Sequence, residues 1–372
     1  MRILFTCGGT AGHINPAVAL ARVFQERHRD CEVLFVGARG GMETRLIPKE
    51  GYECRTVESY QLEHSWSPEA LAWNLKVVSK LRSSVAEAGK LLDEFKPDLV
   101  VGTGGYASYP VVKAAARRHI PTAIHESNAL PGMTTKALSG LVDVVMVGFR
   151  AAVPYYSRAK RVEVTGTPVR PDFFRYTRAE ARAKLGLTDD LPLVLCFWGS
   201  LGAARMNEYM VDFFALAARD GAPFRLIQSA GRSYDKMTAA LAERHIALSQ
   251  YPRLELREYI YDMPAVMAAA DLVLCRAGAA TLSEVAAVSK PAILVPSPNV
   301  TADHQTRNAR VLADSGGAIL LPESECSGRV LYGLVRELLD DAPRREVMRR
   351  ALSAQSVNDA AEEIYRVLRS VM

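Results

Sequence analysis

The 372-residue chain has no apolar run near the ~18 residues that a membrane-spanning helix needs, so a helical integral membrane protein is excluded. The opening run Ile3 to Cys7 is too short for the apolar centre of a leader and reads as a strand. There is no Cys-x-x-Cys pair: Cys7, Cys31, Cys54, Cys196, Cys275 and Cys326 are scattered, as expected for reduced, mostly buried thiols of a cytoplasmic protein. No Asp-x-Asp pair and no His or Cys at ligand spacing on one helix face is present, so neither a metal nor another cofactor is expected. Lys and Arg form no block. Their 46 against 41 acidic residues leave only +5, which does not indicate nucleic acid but leaves room for a local basic face toward anionic lipid.

What remains is the composition of a globular protein, 49% hydrophobic and 23% charged, in a chain long enough for two domains at ~100–200 residues each. Short apolar runs at 3–6, 33–36, 99–101, 122–124, 144–147 and 162–164 alternate with helical patterns. The habit repeats at 193–197, 224–228, 254–257, 272–275 and 292–295. Strands alternating with helices at this pace imply parallel sheets covered on both faces. The expectation is an α/β protein of two Rossmann-like domains, 1–165 and 166–357, divided at the turn Thr165-Gly166-Thr167-Pro168-Val169-Arg170-Pro171. Ligands of such sheets bind beyond the carboxyl ends of the strands, so the two domains are expected to face one cleft. An amphipathic tail, about 358–372, is expected to pack back on the first domain.

Glycine turns follow the opening strand of each half. In Gly8-Gly9-Thr10-Ala11-Gly12-His13, glycines let backbone N–H groups converge at a helix start, and His13 stands where it can take a proton. The spacing is not G-x-G-x-x-G, which disfavours a nicotinamide cofactor. Gly104-Gly105-Tyr106 ends a second strand, and His125-Glu126-Ser127-Asn128 must emerge at the end of the strand 122–124. Four polar side chains there are costly to bury unpaired, which favours a ligand site over a satisfied loop network. Trp198-Gly199-Ser200-Leu201-Gly202 offers N–H groups and a hydroxyl for a diphosphate. In Cys275-Arg276-Ala277-Gly278-Ala279-Ala280-Thr281-Leu282-Ser283-Glu284, Glu284 is either the acid of a capping box with Thr281 or an acceptor of sugar hydroxyls. Asp303-His304-Gln305 closes the series with groups that can bind hydroxyls or simply start a helix. Between Trp66 and Arg82, Leu71, Leu75, Val78 and Leu81 or Arg82 fall at helical spacing, and the stripe is expected to pack on the core. Trp66, Trp73, Lys76 and Lys80 beside them also suit an interfacial membrane contact.

Six of these motifs, those at 8–13, 104–106, 125–128, 165–170, 199–203 and 276–284, stand in one order over nearly the whole chain. Together they resemble the bacterial peptidoglycan N-acetylglucosaminyltransferases, the MurG family of the two-domain GT-B class. The resemblance implies transfer of N-acetylglucosamine from UDP-N-acetylglucosamine to the C4 hydroxyl of the muramoyl-pentapeptide sugar of lipid I, giving lipid II with inversion and without a metal. It implies that Thr10, Ala11 and Gly12 line the donor cleft, that Asn128 and Gln305 bind the sugar, and that Arg170 and Ser200 hold the diphosphate. Ile260 would meet uracil through its backbone, Glu284 the ribose hydroxyls, and Ala279, Ala280, Thr281, Leu282 and Ser283 the same donor. His13 would act on the acceptor side, with Glu126 as the rival base. Trp198, Ser127, Ala129, Thr167 and His304 depart from the family's usual residues. The resemblance further implies a peripheral enzyme on the cytoplasmic face of the cell membrane, meeting an anionic lipid surface, and admits cell-wall synthesis or division proteins as partners. Two rival functions remain: a non-hydrolysing UDP-N-acetylglucosamine 2-epimerase, and a catalytically silent nucleotide-sugar-binding scaffold.

Overall fold

The computed structural model describes residues 1–63, 65, 67–199, 202–300, 303–357 and 359–372, apart from the side chain of Ala11. Trp66 and Ser200 therefore lie outside the described residues. The chain divides into two compact units, Met1–Val169 with Val357–Met372, and Arg170–Ser356.

In the first unit β1 (Arg2–Thr6), β2 (Glu32–Ala38), β3 (Glu53–Val57), β4 (Leu99–Gly102), β5 (Thr122–Glu126), β6 (Val144–Val147) and β7 (Val162–Val164) form one parallel sheet. Its order is β3-β2-β1-β4-β5-β6-β7. Side chains alternate across such a sheet. Ile3 and Phe5 therefore face one layer, with Ile14, Leu20 and Phe24 of α1 (Ala11–Arg27), and Ile47 of α2 (Glu43–Lys49) joins the same layer. Leu4 faces the opposite layer with Val85 and Leu92 of α3 (Pro68–Phe95) and Val111 and Val112 of α4 (Ser108–Ala116). The short α5 (Met133–Leu138) adds Leu138. Burial on both faces is why the inner strands β1, β4 and β6 read as near-continuous apolar runs, whereas the edge strand β3, Glu-Cys-Arg-Thr-Val, is partly exposed and is not among the expected runs.

The second unit begins with α6 (Arg178–Lys184), whose Thr177 and Glu180 form a reciprocal capping box. Its sheet joins β8 (Leu193–Phe197), β9 (Arg225–Ser229), β10 (Leu254–Arg257), β11 (Leu272–Cys275), β12 (Ala292–Leu294) and β13 (Ala318–Leu320), all parallel, in the order β10-β9-β8-β11-β12-β13. Between them run α7 (Ala204–Arg219), α8 (Tyr234–Glu243), α9 (Met263–Ala269), α10 (Ala279–Ala287) and α11 (His304–Asp314), followed by α12 (Gly328–Asp340) and α13 (Ala342–Gln355).

The chain then returns to the first unit as α14 (Ala360–Arg369), whose Ile364, Val367 and Leu368 are buried in the layer beside α1. Phe24 and Tyr365 meet at 5.0 Å, and Arg27 pairs with Glu362.

Both sheets share one topological device. The chain leaves β1 for β2 on one side and resumes at β4 on the other, and it treats β8, β9 and β11 in the same way. Each sheet thereby opens a crevice beyond the carboxyl ends of its two central strands.

Candidate active site

In the first unit the two glycine turns interlock at that crevice. Gly9 and Gly105 have φ of +85° and +82°, and a Cβ on Gly105 would fall 2.0 Å from the Gly8 carbonyl oxygen. Only glycine fits there. His13, in the first turn of α1, has Nδ1 2.8 Å from the Gly8 carbonyl oxygen. A carbonyl only accepts, so Nδ1 carries the hydrogen and the lone pair is left on Nε2. Thr10 Oγ1 lies 3.3 Å from the same Nδ1. The imidazole rests on Gly104, where a Cβ would come within 2.7 Å of Cδ2, and Thr103 Oγ1 donates to the His13 carbonyl at 2.7 Å. Thr10 stands at the helix N-cap without a side-chain cap bond, so the first amides of α1 receive no cap from it.

In the polar run that ends β5 and enters the following loop, His125 and Glu126 are already hydrogen-bonded within the protein, the alternative to a ligand site that the sequence left open. His125, fully buried, donates from Nε2 to the Gly166 carbonyl at 2.8 Å and takes the Ser127 hydroxyl on Nδ1 at 3.3 Å. Burial lowers its pKa, which keeps it neutral. Glu126 accepts four bonds: the Asn128 N–H (2.9 Å) and Nδ2 (3.0 Å) on Oε1, and the Gly132 N–H (2.9 Å) and Thr135 hydroxyl (2.6 Å) on Oε2. This carboxylate holds the loop that carries Asn128.

In the second unit α10 begins at Ala279 with Gly278 as N-cap. Glu284 therefore lies in the second turn, three residues too late to cap, and the capping-box reading is corrected. Its carboxyl is pushed up to about 7 by burial, against which the Arg170 charge pulls it down. Arg170 itself is exposed and sits over the Phe173 ring at 5.4 Å. With no side-chain cap, the amides of Ala279, Ala280 and Thr281 form an open helix N-terminus, the arrangement that binds phosphate. Leu282 contributes no side chain, being fully buried, and its N–H is bound to the Gly278 carbonyl. Ser283 turns its hydroxyl back to the Ala279 carbonyl at 3.0 Å. Gln305 Oε1 accepts from the Ala277 and Ser297 amides at 3.2 and 2.9 Å, tying the loops after β11 and β12 together. Ile260 is buried in the turn after β10, between Tyr259 and Tyr261, which is 90% exposed.

Three features escaped the sequence reading. Glu43 is fully buried beneath the first glycine turn; its signal was the cluster Gly37, Gly40 and Gly41 around one acid. Arg276 reaches Glu323 at 2.6 Å and donates to the Val295 and Pro296 carbonyls, which steadies the loop that Gln305 holds; nothing in the sequence pairs the two. The third feature is a correction. Leu71, Leu75 and Val78 are 62%, 66% and 59% exposed, so the stripe expected in the core faces outward, and α3 buries Val85, Ala88 and Leu92 instead. Beside that stripe Lys76 is exposed, whereas Lys80 is bound to Glu58 and Tyr60, and Trp73 donates Nε1 to the Gln61 carbonyl at 3.0 Å. Among the described residues no helix is long and apolar enough to cross a membrane, and no cluster of three His, Cys, Asp or Glu could hold a metal.

Residues 3–147 match the glycosyltransferase family 28 N-terminal domain and residues 193–364 its C-terminal domain. Proteins of Acetivibrio thermocellus and Caldanaerobacter subterraneus, each named UDP-N-acetylglucosamine--N-acetylmuramyl-(pentapeptide) pyrophosphoryl-undecaprenol N-acetylglucosamine transferase, are both 39% identical. They align over the whole of this chain and over 98% and 100% of their own length. The crystal structure of Acinetobacter baumannii MurG superposes with a TM-score of 0.76 at 27% identity, over 99% of each chain. A Neisseria meningitidis UDP-GlcNAc 2-epimerase reaches 0.63 at 14% identity, covering 100% of both chains, a likeness of fold alone. With both domains matched and full-length relatives well above a third identical, this two-unit GT-B chain belongs to the MurG family of family 28 glycosyltransferases.

Proposed function

We propose that the chain transfers N-acetylglucosamine from UDP-N-acetylglucosamine to the C4 hydroxyl of the muramoyl-pentapeptide sugar of lipid I, with inversion and without a metal. The observation that carries this reading is His13, whose Nδ1–H is committed to Gly8 and whose Nε2 lone pair is left at the crevice. In one displacement Nε2 takes the hydroxyl proton, the hydroxyl oxygen bonds to the anomeric carbon, and the bond from that carbon to the diphosphate breaks. The departing charge falls to Arg170 and the open N-terminus of α10, with Ser200 as a further contact by family likeness. Glu284 accepts the ribose hydroxyls, Ile260 meets uracil through its backbone, and Asn128 and Gln305 bind the sugar. Glu126 acts by holding Asn128 and not as the base, because its acceptor directions are already taken.

The acceptor's polyprenyl chain stays in the bilayer, so the enzyme must come to the membrane. The outward stripe Leu71, Leu75 and Val78 with exposed Lys76 and Arg82 supports a peripheral contact with an anionic surface on the cytoplasmic face. Incubation with UDP-N-acetylglucosamine and a lipid I analogue tests the reading. A disaccharide lipid, formed equally in EDTA, supports it. The 2-epimer of the donor as product, or donor binding without turnover, would replace it with one of the rival functions.

A further inference from the structure

One fully buried acid lies directly beneath the turn that orients His13. Glu43 opens α2, and its two oxygens accept from two different segments: Oε1 from the Ala38 N–H at the end of β2 (2.7 Å), and Oε2 from the Gly9 N–H (3.3 Å). Three glycines make room for it. A Cβ on Gly8, Gly37 or Gly41 would come within 2.7, 2.2 or 2.3 Å of the Glu43 side chain. A buried carboxylate is costly even when hydrogen-bonded, and two amide partners do not explain why the fold spends three glycines to house one.

The explanation lies in which peptide it touches. The Gly9 N–H that Glu43 accepts and the Gly8 carbonyl to which His13 donates belong to the same peptide unit. Carboxylate, peptide and imidazole thus form one continuous chain of hydrogen bonds, in which each bond polarises the next. We propose that Glu43 is a positioning residue for the transfer reaction, acting on His13 through the Gly8–Gly9 peptide. It fixes that peptide's orientation, strengthens the Gly8 oxygen as an acceptor of Nδ1–H, and so holds the tautomer with Nε2 open while favouring the imidazolium that forms when the proton is taken. A carboxylate paired directly with a histidine does the same work elsewhere; here a peptide stands between them.

The other titratable groups around Glu43 do not compete. Cys7 beside β1, Cys54 on β3 and Tyr106 after β4 all have raised pKa values, from burial first and then from the Glu43 charge, with Cys54 pushed up to about 11. They stay neutral at neutral pH.

The inference rests on His13 being the base, and the test separates the two. Glu43→Gln keeps size and shape but cannot accept both N–H groups. It should lower kcat by about 10–100-fold, leave the KM for UDP-N-acetylglucosamine within about twofold, and move the acid limb of the kcat profile to lower pH, because a weaker acceptor at Nδ1–H disfavours the imidazolium. In a His13→Gln background the same change should have no further effect on kcat. An unmoved acid limb, or an undiminished effect in that background, would overturn the role of Glu43. Near-normal turnover of His13→Gln alone would instead overturn His13 as the base. If Glu43→Gln does not fold, nitrogen NMR of the wild-type histidines still decides: His13 must be protonated on Nδ1 when neutral, and a hydrogen on Nε2 would sink the inference.

Discussion

An imidazole is useful as a base only when one nitrogen is committed elsewhere, and His13 meets that condition through Gly8. His13→Ala should therefore lower kcat by about 10²–10⁴ with UDP affinity nearly unchanged, as steady-state kinetics and calorimetry would show. Glu284 makes the opposite claim, on binding and not on chemistry. Burial pushes its carboxyl up to about 7, well above the ordinary carboxylate value. Ribose hydroxyls donate to the ionised form, so they favour it, and UDP affinity should climb as pH rises through about 7 and then level. Protons are taken up from buffer on UDP release and given back on binding. Glu284→Gln should flatten the pH dependence; a slope that survives it assigns the titration to another group. The same shift has a stability consequence. A folded-state value above the unfolded one means the folded chain holds more protons between about 4.5 and about 7, so this group's contribution is full below that window and is lost as pH rises through it.

At the scale of single elements, α3 shows where sequence reasoning stops. Leu71, Leu75 and Val78 have the spacing of a core stripe, and no local signal distinguishes an apolar face that meets its own sheet from one that meets something else. Only the register of the helix decides, and α3 is anchored by Val85, Ala88 and Leu92 in its second half. The partners of Glu126 were hidden for a related reason: polar residues at the end of a buried strand signal a need for partners, and whether those come from a ligand or from Gly132 and Thr135 is a matter of loop closure. The strand-to-glycine-turn junctions were legible because positive φ and close approach leave a mark in residue type. For α3 the expectation is that Leu71, Leu75 and Val78 changed together to Ser reduce co-sedimentation with anionic vesicles while turnover on a water-soluble acceptor persists. Adding Lys76→Gln should deepen the loss in low salt, by about 1 kcal/mol of surface attraction. Surface substitutions of this kind leave the melting temperature within a few degrees; sedimentation equal to wild type would remove the membrane contact from this face.

At the scale of the whole molecule, the two parallel sheets followed from the alternation of apolar runs and helical patterns, because strands buried on both faces must be apolar throughout. The chain's return to the first unit is subtler. A helix after the last strand of the second unit has no sheet partner of its own in sequence, yet its stripe Ile364, Val367 and Leu368 is among the most completely buried in the molecule. Ile364→Ala should cost about 2–5 kcal/mol, since α1 and the strands around it cannot collapse into the space it leaves. That cost falls on the unit that contains His13. The donor-binding groups proposed for Glu284, Arg170 and Gln305 all lie in the other unit. The substitution is therefore expected to lower the unfolding midpoint in denaturant while leaving UDP affinity at low temperature unchanged, and saturating UDP, at about 100 times its Kd, should still stabilise the variant by about 2.7 kcal/mol. Calorimetric titration paired with denaturant unfolding separates these terms; a variant that loses UDP affinity in proportion to its stability would mean that the UDP moiety is not held by the second unit alone.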